Sequence, residues 1–78
     1  MTKELWDRLP EETDMAFQAF IAYRDMPHPR AAQRVRDRMP NPASASTLQS
    51  WCAKHRWIER VQAWDEWLDQ QLREDQVN

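Results

Sequence analysis

The chain reads as an all-α protein, a small four-helix domain containing a helix-turn-helix, on three observations. Apolar residues return at three- and four-residue intervals, and no period-2 run of β-branched residues marks a strand. Glycine is absent, which removes the usual source of positive φ at helix ends and leaves proline and asparagine to break the helices. The prolines cluster in three places, at Pro10, at Pro27 with Pro29 and at Pro40 with Pro42, and because proline is expelled from helix interiors they divide the chain into four helices.

Residues 1–10 are a polar lead-in with two apolar anchors, Leu5 and Trp6, and Trp6 is expected to pack back on the core. Helix one is expected over residues 11–25. Glu11, Glu12 and Asp14 in its first turn complement the positive end of the helix dipole, and its inward stripe is Phe17, Phe20, Ile21 and the alkyl stem of Arg24, with Tyr23 at the margin. Helix two follows over residues 29–39, with Pro29 suited to a first helical position and Ala31, Ala32, Val35 and Met39 inward. Helix three falls within residues 42–56 and has two candidate starts, Asn41-Pro42 and the capping box Ser46-Thr-Leu-Gln49, of which the second is preferred. Leu48, Trp51, Cys52 and His55 make its inward stripe. Helix four covers residues 58–73, with Ile58, Val61, Trp64 or Asp65, Leu68 and Leu72 inward and an acidic outer face, and residues 74–78 have nothing to bury and should fray.

A chain of 78 residues makes one domain near the lower limit for a self-sufficient core, and five tryptophans supply the bulk. The single cysteine excludes an internal disulfide, no run approaches the roughly 20 apolar residues of a membrane span, and the N-terminus lacks the apolar centre of a signal peptide. The cytosol is the expected compartment. No cofactor, metal or catalytic site is expected: without glycine there is no phosphate-cradling loop, and Cys52 with His55 and His28 falls short of the four ligands of structural zinc. Asp65, Glu66 and Asp69 are expected to be a solvated helix face rather than a carboxylate pair at work.

The net charge of −2 conceals a strong segregation. Residues 1–23 carry two cations against five anions, residues 24–60 eight against three, and residues 61–78 one against five. The central net charge of +5 coincides with the proposed helix-turn-helix, and with a Debye length of about 8 Å a local patch can attract phosphate whatever the distant total. Thr47, Gln49, Ser50 and Lys54 face outward on helix three and are the expected readers of base edges in a DNA major groove, although any solvated helix face can carry such residues. Arg30, Arg34 and Arg38, at four-residue steps, and Arg56 are the expected phosphate contacts. Trp64, Trp67 and Leu68 are the expected protein interface. Trp67 lies at the border between the apolar stripe and the acidic face, where it either covers helix one or anchors a homodimer through helix four.

Particular phrases add a resemblance. Leu5-Trp6-Asp7-Arg8-Leu9-Pro10-Glu11-Glu12-Thr13, then Ala16-Phe17-Gln18-Ala19-Phe20, then Tyr23-Arg24-Asp25-Met26 resemble the opening of the phage small-terminase-like helix-turn-helix family. The second half is similar too, in Leu48 to Trp51, His55-Arg56-Trp57-Ile58-Glu59-Arg60-Val61, Ala63-Trp64-Asp65 and Leu68-Asp69. The likeness covers about residues 5–69. It departs at Met39-Pro40-Asn41-Pro42-Ala43-Ser44, where the family usually has a shorter, glycine-containing turn, and the downstream assembly region of full small terminase subunits is missing. The resemblance implies a DNA-binding head acting on double-stranded DNA in the cytoplasm of a bacterial host cell. The rival expectation is an adaptor or inhibitor whose acidic, Trp-bearing helices occupy a host or phage protein, for example a nucleic-acid-binding complex.

Overall fold

The computed structural model describes residues 4–77, and the described residues are all-helical. The first helix is Asp14–Arg24, the second a 3₁₀ helix, Ala32–Arg38, the third Ala45–Lys54 and the fourth Trp57–Val77. Each boundary has a local cause. The first helix begins three residues later than its acidic run suggests, because Thr13 is the N-cap, its hydroxyl accepting the Ala16 N–H at 3.1 Å. Glu12 is instead held in a turn by its N–H to the Leu9 carbonyl, with its side chain drawn into the core.

The second segment departs from expectation in kind. Residues 29–39 do not form an α-helix; the chain is extended at Ala31 and then winds as a 3₁₀ helix that buries only Val35 completely. The third helix uses neither expected start. Ser44 is its N-cap, accepting the Thr47 N–H at 3.2 Å, between the Asn41-Pro42 and Ser46 alternatives. The break before the fourth helix is made by neither proline nor asparagine: Arg56 takes φ 54, the left-handed conformation that glycine would fill in a chain that had one. The fourth helix continues through residues 74–77, which composition alone assigns to a tail; Asn78 lies outside the described residues.

The core gathers Ala19, Phe20, Tyr23, Met26, Val35, Leu48, Trp57 and Val61. Trp57, left between the expected third and fourth helices, is its centre: fully buried, with ring centroids 5.2 Å from Tyr23 and 6.2 Å from Phe20. Its indole nitrogen finds no acceptor among the described residues, a loss of ~1–3 kcal/mol, but burying roughly 150–250 Å² of indole at about 25 cal/mol per Å² returns ~4–6 kcal/mol. Packing prevails there. Because Trp57 sets the phase, the inward side of the fourth helix is Trp57, Arg60, Val61 and Trp64, and Ile58, expected inside, is 57% exposed; Leu72, also expected inside, lies beyond the packed helices and is 60% exposed. On the first helix Ala16, Ala19, Phe20 and Tyr23 are buried, which moves Tyr23 from the margin to the core and Phe17 and Ile21 to its edge.

The lead-in is fastened by a buried ion pair that spacing could not reveal. Arg60 donates to both carboxylate oxygens of Glu12 at 2.9 and 3.1 Å, and to the carbonyls of Leu5, Asp7 and His55. Its guanidinium carbon lies 3.8 Å from the Phe20 ring centroid. One side chain thus joins residues 5–12, the corner at His55 and the first helix. Trp6 packs back as expected, but on Trp64 and Trp67, at 5.5 and 5.6 Å between centroids.

Candidate nucleic-acid interface

The central basic block sorts into two halves once its partners are placed. Arg24 pairs with Asp25 at 2.9 Å and lies over the Trp64 ring at 4.3 Å; Arg56 pairs with Glu59 at 3.5 Å; Arg60 is spent on Glu12. Arg30, an expected phosphate contact, is turned inward. Its guanidinium binds Asp65 in a two-pronged pair at 2.6 and 2.8 Å and also donates to the Arg24 carbonyl, leaving its side chain 9% exposed. That hydrogen bond raises the Arg30 pKa and, in return, holds the Asp65 carboxyl below the usual carboxylate range. Arg30 is therefore a clasp between the segment before the second helix and the fourth helix, and is removed from the set of expected phosphate contacts.

Arg34, Arg36, Arg38 and Lys54 are different. All four are exposed and none has a carboxylate partner among the described residues; Arg34 donates to the Pro29 carbonyl at 2.9 Å through one of its nitrogens only. The expected four-residue arginine stripe is lost with the α-helix. At about 120° per residue a 3₁₀ helix aligns positions three apart, so Gln33 and Arg36 share a side while Arg34 and Arg38 diverge. Arg36, passed over in the four-residue series, thereby joins the candidate surface, and only the three-fold winding reveals it.

The third helix is fixed beside these cations. Leu48 and His55 are buried and Trp51 and Cys52 half-buried, as their spacing predicts, and burial pushes the Cys52 thiol pKa up. The opposite face, Ser46, Gln49, Ser50, Ala53 and Lys54, is exposed along the helix. Gln49 donates to Gln33 at 3.1 Å, joining that face to the second helix. Thr47, an expected base reader, is half-buried, and its hydroxyl accepts from Ser44 at 3.0 Å, so Ser46 takes its place outside. No aspartate or glutamate occurs between Asp37 and Glu59, which leaves the whole third helix free of negative charge.

The two helices are joined by residues 39–44, longer than the roughly three- to four-residue turn of a DNA-binding helix-turn-helix, and the first partner is 3₁₀. No family model, curated protein or solved structure matches the chain. The surface is therefore read from its own residues. Elsewhere, an open groove of about 700 Å³ lies between the first helix and residues 38–41, lined by Met15, Ile21, Met39 and Pro40 among others, and a smaller cavity of about 160 Å³ adjoins Leu5, Leu9 and His55. Among the described residues no three His, Cys, Asp or Glu side chains converge to hold a metal ion, and no helix is long and apolar enough to cross a membrane.

Of the expected protein interface, Trp64 is half-buried, stacked with Trp67 at 5.3 Å and covered by Arg24. Trp67 packs on Trp6 and Trp64 and is 39% exposed, and Leu68 beside it is 37% exposed.

Proposed function

We propose that the chain is a non-enzymatic protein that binds double-stranded DNA by laying the outer face of the third helix in the major groove. Ser46, Gln49, Ser50 and Lys54 meet base edges, while Arg34, Arg36 and Arg38 of the second helix, with Lys54, lie against phosphates. The observation that carries the reading is the pairing pattern: among the described residues, the four cations without a carboxylate partner are the ones that flank or stand on a helix without a single acid. A solvated face of no function needs no such separation. The acidic fourth helix adds orientation, since a duplex repels it and accepts only the basic side. The resemblance to small-terminase heads agrees with this reading and supplies its setting, a phage-type protein in the bacterial cytoplasm.

Binding of a duplex over a salt series tests the proposal. Four neutralised phosphates give a log–log slope of about −3.6, from roughly −0.9 per phosphate. Arg36→Ala should flatten that slope by about 0.9, and Gln49→Ala or Ser50→Ala should cost ~1–3 kcal/mol on a preferred site without changing it. Arg30→Ala should leave the slope intact. No binding at low salt, or a slope that responds to Arg30 and not to Arg36, refutes the assignment.

A further inference from the structure

The fourth helix outlasts the domain that it belongs to. Its inward side is occupied through Trp57, Arg60, Val61 and Trp64, where the first helix and the lead-in pack against it. The bundle ends there, but the stripe does not. At about 100° per residue Leu68 and Leu72 continue the line of Val61 and Trp64, with Trp67 along one border, for nearly three further turns in which every residue from 66 to 75 is exposed. That is about 15 Å of amphipathic helix with an apolar side and no cover. A helix on a solvated surface has no physical need for leucine at both positions, 37% and 60% exposed, in register with the core stripe.

The charges beside the stripe say what covers it. Asp65 belongs to Arg30 and Asp69 to Arg73 at 3.1 Å, and Glu66 lies on the far side of the helix, but Glu74 and Asp75 have no cationic partner among the described residues. Glu74 borders the stripe on the side of Trp67, and Asp75 falls within it, beyond Leu68 and Leu72. A second copy pairing in parallel would set Glu74 and Asp75 against their own duplicates, so a parallel homodimer through this face is electrostatically disfavoured. We propose that residues 64–75 of the fourth helix dock a basic amphipathic helix of a partner protein. Its apolar seam covers Trp67, Leu68 and Leu72, and its lysines or arginines meet Glu74 at the border and Asp75 at the end of the stripe. This surface lies on a different helix from the proposed DNA face and is independent of it.

Fluorescence anisotropy of a labelled synthetic helix with leucine at its a and d positions and lysine at e and g, titrated with the full chain, tests the proposal. The same helix with glutamate at e and g is the control. Equimolar binding of the lysine peptide, weakened about tenfold or more by L68Q/L72Q and absent for the glutamate peptide, is expected. Both replaced leucines are exposed, so the variant keeps the fold, and its circular dichroism and its duplex binding should match the wild type. Equal binding of the lysine peptide to wild type and L68Q/L72Q places it elsewhere and overturns the proposal, as does no binding. Sedimentation of the wild type as a dimer that L68Q/L72Q dissociates would show that a second copy covers the stripe, and would also overturn it.

Discussion

Replacing Glu12 by alanine isolates what the buried ion pair contributes. Both partners are almost fully buried, at 2% and 3% exposure, so the substitution leaves the Arg60 guanidinium in the core with its three carbonyl acceptors and no counter-charge. Removing one partner of a buried pair costs ~3–5 kcal/mol. At roughly 0.05–0.15 kcal/mol per residue a chain of this length has only ~4–12 kcal/mol in all. Glu12→Ala should therefore lower the Tm by more than about 12 °C, at roughly 4–8 °C per kcal/mol, and bring some preparations to the edge of unfolding. Glu12→Leu combined with Arg60→Met leaves no lone charge and should lose less than the two single changes added together, by on the order of 1–3 kcal/mol. It should not reach wild-type stability, because the carbonyls of Leu5, Asp7 and His55 then lack their donor. Urea unfolding followed by helical circular dichroism measures all five proteins, the wild type and the two single changes of the pair included. A loss below about 1 kcal/mol for Glu12→Ala, or strict additivity in the double variant, would falsify the view that Arg60 is the coupled hub of the lead-in.

Two further outcomes follow from the clasp and the corner. The Asp65 carboxyl has its pKa lowered in the folded chain, first by the hydrogen bond from Arg30, so its contribution to stability is complete above the ordinary carboxylate pKa and is lost as the pH falls through the depressed one. Asp65→Asn should remove that part of the acid destabilisation, flattening the stability–pH curve below the carboxylate range; an unchanged curve would show the clasp to be open in solution. Arg56→Gly relieves a left-handed residue at ~1–2 kcal/mol but adds ~0.4–1 kcal/mol of unfolded-state entropy, and the exposed pair with Glu59 is worth little. A small gain of up to ~1 kcal/mol is expected by thermal melting, and a loss of that size would mean that the Arg56 side chain stabilises the corner.

The sequence by itself determined the helical class, the places where the chain breaks, the inward side of the third helix and the concentration of positive charge in residues 24–60. These are local properties: proline and the missing strand pattern act within a few residues, and the period from Leu48 to His55 is one helix's own. The phase of the fourth helix was ambiguous at its start, because Ile58 and Trp57 each fall in step with Val61, Leu68 and Leu72, and only the burial of Trp57 against Phe20 and Tyr23 chooses between them. The second helix looks α-helical by spacing, yet it winds as 3₁₀, and that winding, not the four-residue periodicity, puts Arg36 on the side of Gln33, which bonds Gln49 of the third helix. Which cations remain for a ligand was beyond sequence altogether. Arg30 and Arg34 are the same residue type four positions apart, but Arg30 meets Asp65 across 35 positions and Arg34 does not. Glu12 and Arg60, 48 positions apart, are equally invisible to any local pattern. Charge is written in the chain, but its neutralisation is decided by contacts that exist only once distant segments have folded together, because ion pairing depends on distance in space and on burial rather than on separation along the backbone.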